Sequence, residues 1–164
     1  MLGSRTSINR DTKFMCTRDE NNEMLINGYF AIFDGRYEMW DSAYEKIAPS
    51  AFDETINDDI RALTNHDTTL VLGRTRANTL KLRVDERGLW GEIKVNPADQ
   101  DAVNLYERVL RGDVSQCSFG FDIIDQSIEE IDGNTVFTLK KVKLYEVSVC
   151  TFPAYEDTAV SARK

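Results

Sequence analysis

Over much of the chain apolar and polar residues alternate with a period of two, the signature of strands with one buried face. The alternation is cleanest in Thr79-Leu80-Lys81-Leu82-Arg83-Val84 and in Leu89-Trp90-Gly91-Glu92-Ile93-Lys94-Val95. Asp85-Glu86-Arg87-Gly88 lies between them and has turn composition, so residues 79–95 predict a β-hairpin. Residues 24–33 are rich in β-formers and end at the turn signal Asp34-Gly35; residues 36–40 and 43–47 follow, broken near Asp41-Ser42. Short strands are predicted over 60–66 and 69–73 with Asp67-Thr68 between them, then from the Ser118 region to Ile124, over 135–139 and over 142–151. Asp132-Gly133 is a strong hairpin-turn signal.

Helical spacing occurs twice. After Asn96 as a cap and Pro97 at the first helical position, Val103, Tyr106, Val109 and Leu110 form an apolar stripe that ends at Gly112. Ser50 with Asp53 resembles a capping box and Phe52 stands four before Ile56, which predicts a short helix over 49–56. Many short strands and two helices predict a mostly β, α+β fold: a closed or strongly curved antiparallel β-barrel with peripheral helices, since closure would protect the strand edges. Residues 1–22 read as a flexible N-terminal arm, 23–157 as a single domain and 158–164 as a C-terminal tail.

Composition narrows the function. The chain has 164 residues with 20 basic against 28 acidic side chains, a net charge of −8, which argues against nucleic acid or an anionic membrane as partner. The three cysteines, Cys16, Cys117 and Cys150, form no CxxC pair and suit reduced surroundings. No apolar run is long enough to span a bilayer and the N-terminus lacks a secretory core, so a soluble cytoplasmic protein is expected. A single histidine without a second ligand at recognisable spacing predicts no metal site, and no phosphate loop or other cofactor motif is present.

The candidate chemistry centres on Gly112-Asp113-Val114-Ser115-Gln116-Cys117-Ser118-Phe119-Gly120-Phe121. On a strand, Cys117, Phe119 and Phe121 share an apolar face, while Ser118 and Gly120 take the other, where the missing side chain of Gly120 leaves room for a substrate backbone. Ser118 is either a nucleophile or an ordinary strand serine. Its base, if histidine, is His66, the only one in the chain; the plainer alternative is a strand-end residue without chemistry. In Leu144-Tyr145-Glu146-Val147-Ser148-Val149-Cys150, Glu146 is a mid-strand acid that needs a partner if buried. It suits the third member of a triad, or equally a solvent-facing or salt-bridged residue. Asp67 is a weaker acid because neighbours in sequence point apart on a strand. Rival nucleophiles are Cys117, expected on the core side, and Ser115 at the strand entry. A Ser-Lys dyad would need Lys140, Lys141 or Lys143 desolvated, and that run reads as solvated. Gly-x-Ser-x-Gly is absent.

An ordered series of blocks then resembles the capsid-maturation (prohead) proteases of tailed bacteriophages, related in fold to the herpesvirus assembly proteases. It runs Gly28-Tyr29-Phe30-Ala31-Ile32-Phe33, Ile47-Ala48-Pro49-Ser50-Ala51-Phe52, Asn65-His66-Asp67, Gly73-Arg74-Thr75, Asp85-Glu86-Arg87-Gly88-Leu89, Ser118-Phe119-Gly120-Phe121, Glu146-Val147-Ser148-Val149 and Phe152-Pro153-Ala154-Tyr155. The resemblance implies a herpesvirus-protease-like fold and a serine endopeptidase with His66 as base and Ser118 as nucleophile. The herpesvirus relatives use a second histidine as third member; this chain has none, and the resemblance gives that role to Glu146, the Glu of the phage pattern Glu-Val-Ser. The resemblance also implies cleavage of the scaffold protein and of the N-terminal segment of the major capsid protein, and self-cleavage. The place of action would be the assembling prohead in the bacterial host cytoplasm, and a homodimer follows by analogy. The alternative is a catalytically silent capsid-assembly or scaffold-binding module on the same fold. Oxyanion donors are sought in Gly73-Arg74-Thr75 and Thr151-Phe152-Pro153-Ala154.

Overall fold

The computed structural model describes residues 3–7, 15–33 and 35–152, the first of these segments as backbone only. Asp34, Pro153 to Tyr155 and the 158–164 tail lie outside the described residues. The elements in chain order are β1 (Gly3–Ser7), β2 (Met15–Arg18), β3 (Met24–Ile32), β4 (Tyr37–Trp40), β5 (Ala43–Ile47), β6 (Arg61–Thr64), β7 (Asp67–Arg74), β8 (Leu80–Val84), β9 (Gly88–Lys94), α1 (Gln100–Arg111), β10 (Gln116–Ile131) and β11 (Asn134–Cys150). β1 and β2 fall within residues 1–22, and each is paired, β1 to β10 and β2 to β3.

The fold is mostly β with one helix. The strands form a seven-stranded sheet, in which β1-β10-β11-β5-β4 is the main path and β6 and β7 join through β11, and a four-stranded sheet ordered β2-β3-β9-β8. The expected closed, antiparallel barrel is not what forms. Among the described residues no ladder joins the two sheets, and the larger one is mixed, because β5 and β6 both run parallel to β11. The reason lies in β11, a 17-residue strand that runs unbroken through the Lys140-Lys141 pair expected to divide it. One edge pairs with β10; the other takes β5 at residues 135–139 and β6 at 146–149.

Between those two attachments lies the segment expected to be a short helix. It is instead a run of turns, because its polar groups are drawn to the strand beside it. Ala48 N–H donates to Leu139 O at 2.9 Å, Ala51 O accepts from Val142 N–H at 3.1 Å, and the buried Thr55 hydroxyl accepts from Leu144 N–H at 2.9 Å. The segment thereby covers an edge that would otherwise be bare.

The helix expected after Asn96 begins later, at Gln100. Asp99 is the better cap: its carboxylate accepts from Asp101 N–H and Ala102 N–H, while Asn96 only turns the chain by accepting from Ala98 N–H. Gly112 closes the helix with φ +92°. The buried stripe is Ala102, Leu105, Tyr106 and Val109, and Leu110 faces solvent. The helix packs against β2, β3 and β7. Beneath it the core takes Phe30 and Phe52 together with Phe119 and Phe121, whose stacked rings lie 4.8 Å apart. Each such ring contributes about 2 kcal/mol by burial. Anchored on that side, β10 holds its opposite face in place.

Candidate active site

Alternation along β10 sends Cys117, Phe119 and Phe121 into the core and turns Ser118 and Gly120 the other way, as their pattern predicts. Cys117 is fully buried, and its thiol donates to Tyr29 O at 3.0 Å. In the ladder with β11, Ser118 lies opposite Ser148 and Gly120 opposite Glu146. These four positions therefore share one sheet face.

His66 arrives from the other edge of β11. It is not at the end of a strand; it is the second residue of the two-residue turn Asn65-His66 joining β6 and β7, with φ +52° at Asn65 and +58° at His66. Positive φ at both central positions is the type I′ pattern that suits twisted hairpins, and Asn and His tolerate it better than most residues. Parallel pairing of β6 with β11 sets Thr64 beside Val149. The turn is then pinned on both sides: Asn65 N–H donates to Val149 O at 2.9 Å, and Asn65 Oδ1 accepts from Thr151 N–H at 2.9 Å.

The three candidate residues, distant in sequence, meet here. His66 Nε2 lies 2.8 Å from Ser118 Oγ, and His66 Nδ1 hydrogen-bonds Glu146 Oε1. With Glu146 ionised, Nδ1 carries the proton and Nε2 is left to accept from the Ser118 hydroxyl. Glu146 is buried and Ser118 fully so, whereas the His66 side chain keeps 31% exposure. The site thus opens over the imidazole.

The alternatives lie elsewhere. Asp67 is exposed and caps the main chain of Thr69, Ser115 is exposed ahead of β10, and Lys140 faces solvent. Lys141 pairs with Glu54 at 2.5 Å, and Lys143 lies over the Tyr145 ring. Of the suggested oxyanion donors, Arg74 N–H is engaged by Thr79 Oγ1 and Thr75 N–H by Ile60 O, each at 2.9 Å.

Ser148, to which sequence reasoning gave no part, belongs to the site, and Gly120 has a different part from the one expected. The Ser148 hydroxyl lies 2.5 Å from Glu146 Oε2 and 3.1 Å from the His66 main-chain nitrogen. Its two-residue spacing from Glu146 was the available signal. Gly120, expected to leave room for a substrate backbone, leaves room for the acid instead: a Cβ there would fall 2.4 Å from Glu146 Oε1.

A strand hydroxyl, an imidazole and a carboxylate joined in line make up the arrangement found in serine hydrolases. The chain belongs to the Caudovirus prohead serine protease family, whose model matches residues 12–164. It is 29% identical over 159 residues to the prohead protease of Enterobacteria phage HK97, across 94% of this chain. It spans 66% of that relative's length. The fold resembles the bacteriophage T4 capsid assembly protease with a TM-score of 0.56 at 11% identity, covering 91% of this chain and 96% of that one. No helix among the described residues is long and apolar enough to cross a membrane.

Proposed function

We propose that the chain is a serine endopeptidase of capsid maturation, with Ser118 as nucleophile, His66 as general base and Glu146 as the acid that orients the imidazole. Residues 23–157 form its protease unit. Its substrates are the scaffold protein, the N-terminal segment of the major capsid protein and the enzyme itself, inside the assembling prohead in the host cytoplasm. The observation that carries this reading is the continuous hydrogen-bonded line from the Ser118 hydroxyl through His66 to Glu146.

The chemistry follows from that line. Ser118 Oγ attacks the scissile carbonyl carbon while its proton passes to His66 Nε2, and the carbonyl π pair moves onto oxygen. Glu146 stabilises the imidazolium without taking its proton. The oxyanion then collapses, the C–N bond breaks, and His66 returns the proton to the leaving amine. A water molecule, deprotonated by His66, releases the acyl group and restores Ser118. Peptide approaches over the exposed imidazole.

The test is incubation of the purified chain with scaffold and major capsid protein, read by mass spectrometry. Ser118→Ala is expected to keep the fold and lose cleavage to background. Undiminished cleavage by that variant would overturn the assignment, and absence of cleavage by the intact chain would favour the silent assembly module.

A further inference from the structure

We propose that the Ser148 hydroxyl is a positioning residue that locks the acid to the base, and that the site depends on it. The inference rests on the triad reading above. The directions of its hydrogen bonds are forced. His66 N–H can only donate, so Ser148 Oγ accepts from it at 3.1 Å. The single hydroxyl proton is then free for Glu146 Oε2 at 2.5 Å, while Glu146 Oε1 accepts a hydrogen bond from His66 Nδ1–H. The path starts at the His66 main chain, passes through Ser148 and Glu146, and returns to the His66 ring. A closed ring of this kind fixes the turn, the carboxylate rotamer and the imidazole orientation together.

The carboxylate is packed closely on one side. Gly120 abuts Oε1 from the neighbouring strand, so the carboxylate lies between the β10 backbone and the His66 turn. Ser148 is 1% exposed, so water does not readily replace its hydroxyl. Without that hydroxyl, Oε2 loses its donor and the His66 main-chain N–H loses its acceptor. The carboxylate is then held only by its bond to Nδ1 and can rotate away from it. The Nδ1–H tautomer, which leaves Nε2 open to Ser118, loses its selection.

The experiment uses the full chain and Ser148→Ala, with fold verified by thermal melting. Three readouts apply: kcat and KM on a scaffold-derived peptide, the rate at which a fluorophosphonate probe labels Ser118, and the downfield proton signal of His66 Nδ1–H. With one histidine in the chain that signal needs no assignment. A loss of positioning of about 1 Å is expected to lower kcat on the order of 10²-fold with KM little changed. Labelling should slow in parallel, and the Nδ1–H signal should shift or vanish. Ser148→Thr, which keeps the hydroxyl, should recover most of the rate. Ser148→Cys, close in size but a weak donor, carries the same test if the alanine chain does not fold. Wild-type turnover in folded Ser148→Ala or Ser148→Cys, or an unmoved His66 signal, would overturn the inference while leaving the triad intact. An intact chain that neither cleaves nor labels would instead overturn the triad reading.

Discussion

Gly120→Ala separates stability from activity at a single methyl group. The added Cβ would lie 2.4 Å from Glu146 Oε1 and 3.1 Å from its Cδ and Cγ, where ordinary contact begins near 3.4 Å. The oxygen must therefore retreat by roughly 1 Å. It is the far end of a flexible side chain, so the fold accommodates the methyl by rotating the carboxylate. Overpacking of about 1–3 kcal/mol is partly offset by about 0.5–1 kcal/mol from the stiffer unfolded chain. A net loss of about 1 kcal/mol would lower Tm by about 2–4 °C. The displaced atom is, however, the one that holds His66 Nδ1. A misplacement of about 1 Å costs on the order of 10²-fold, and complete loss of a triad acid about 10⁴-fold. The expected fall in kcat lies between those limits, about 2.7–5.4 kcal/mol of transition-state stabilisation. Steady-state kinetics of Gly120→Ala, alone and in a Glu146→Ala background, checks this. If the methyl acts through the carboxylate, it should add little once the carboxylate is gone. A folded Gly120→Ala enzyme with near wild-type kcat, or an undiminished loss in the Glu146→Ala background, would refute the reasoning.

Two further predictions follow from residues outside the hydrogen-bonded line. The Arg74 guanidinium donates to both oxygens of Asp59 and holds its carboxyl at about 2, below its ordinary value. Because the folded value is the lower one, the pair's stabilisation is present above about pH 4 and is lost as pH falls from there toward 2. The stability gap between wild type and Asp59→Asn, read by denaturant titration, should therefore be open at pH 7 and close across that window. A gap that is constant with pH would count against the pair. Cys117→Ala should leave kcat within about threefold of wild type while costing about 1–2 kcal/mol, since the thiol points into the core and donates to Tyr29 O. Abolished turnover in the folded variant would reopen Cys117 as nucleophile.

Local pattern carried much of this structure. The alternation in 79–95 became β8 and β9, Asp132-Gly133 became the turn between β10 and β11, and Gly112 ended α1. Apart from the helix start, where a nearer cap displaced Asn96, the misreadings share a cause: a partner distant in sequence won over a local preference. Residues 49–56 have helical spacing, but the bare edge of β11 took their polar groups. Asn65 and His66 looked like the end of a strand, since nothing local announces an Asn-His turn without glycine. Closure into a barrel was inferred from the number of strands, and number does not reveal that two parallel strands share one edge of β11. For the site, the scarcity of histidine and the mid-strand charge of Glu146 were visible, and the resemblance selected among the alternatives. The partners of Ser148 were not visible, because a serine two residues from an acid is ordinary until the base's main chain arrives beside it.

The positions of Ser118 and Glu146 follow from one hairpin, whereas His66 reaches Ser148 across 82 residues of chain through parallel pairing of β6 with β11. Ser118 and Glu146 can thus come together early, as soon as a two-residue turn zips. His66 waits for a long loop to close, the slower event by its entropy. On the roles proposed above, a chain in which the β6–β7 hairpin has not yet docked on β11 holds Ser118 without His66 and is expected to be inactive. Amide exchange at Thr64 and Asn65, compared with that at Ser118, reads this order directly.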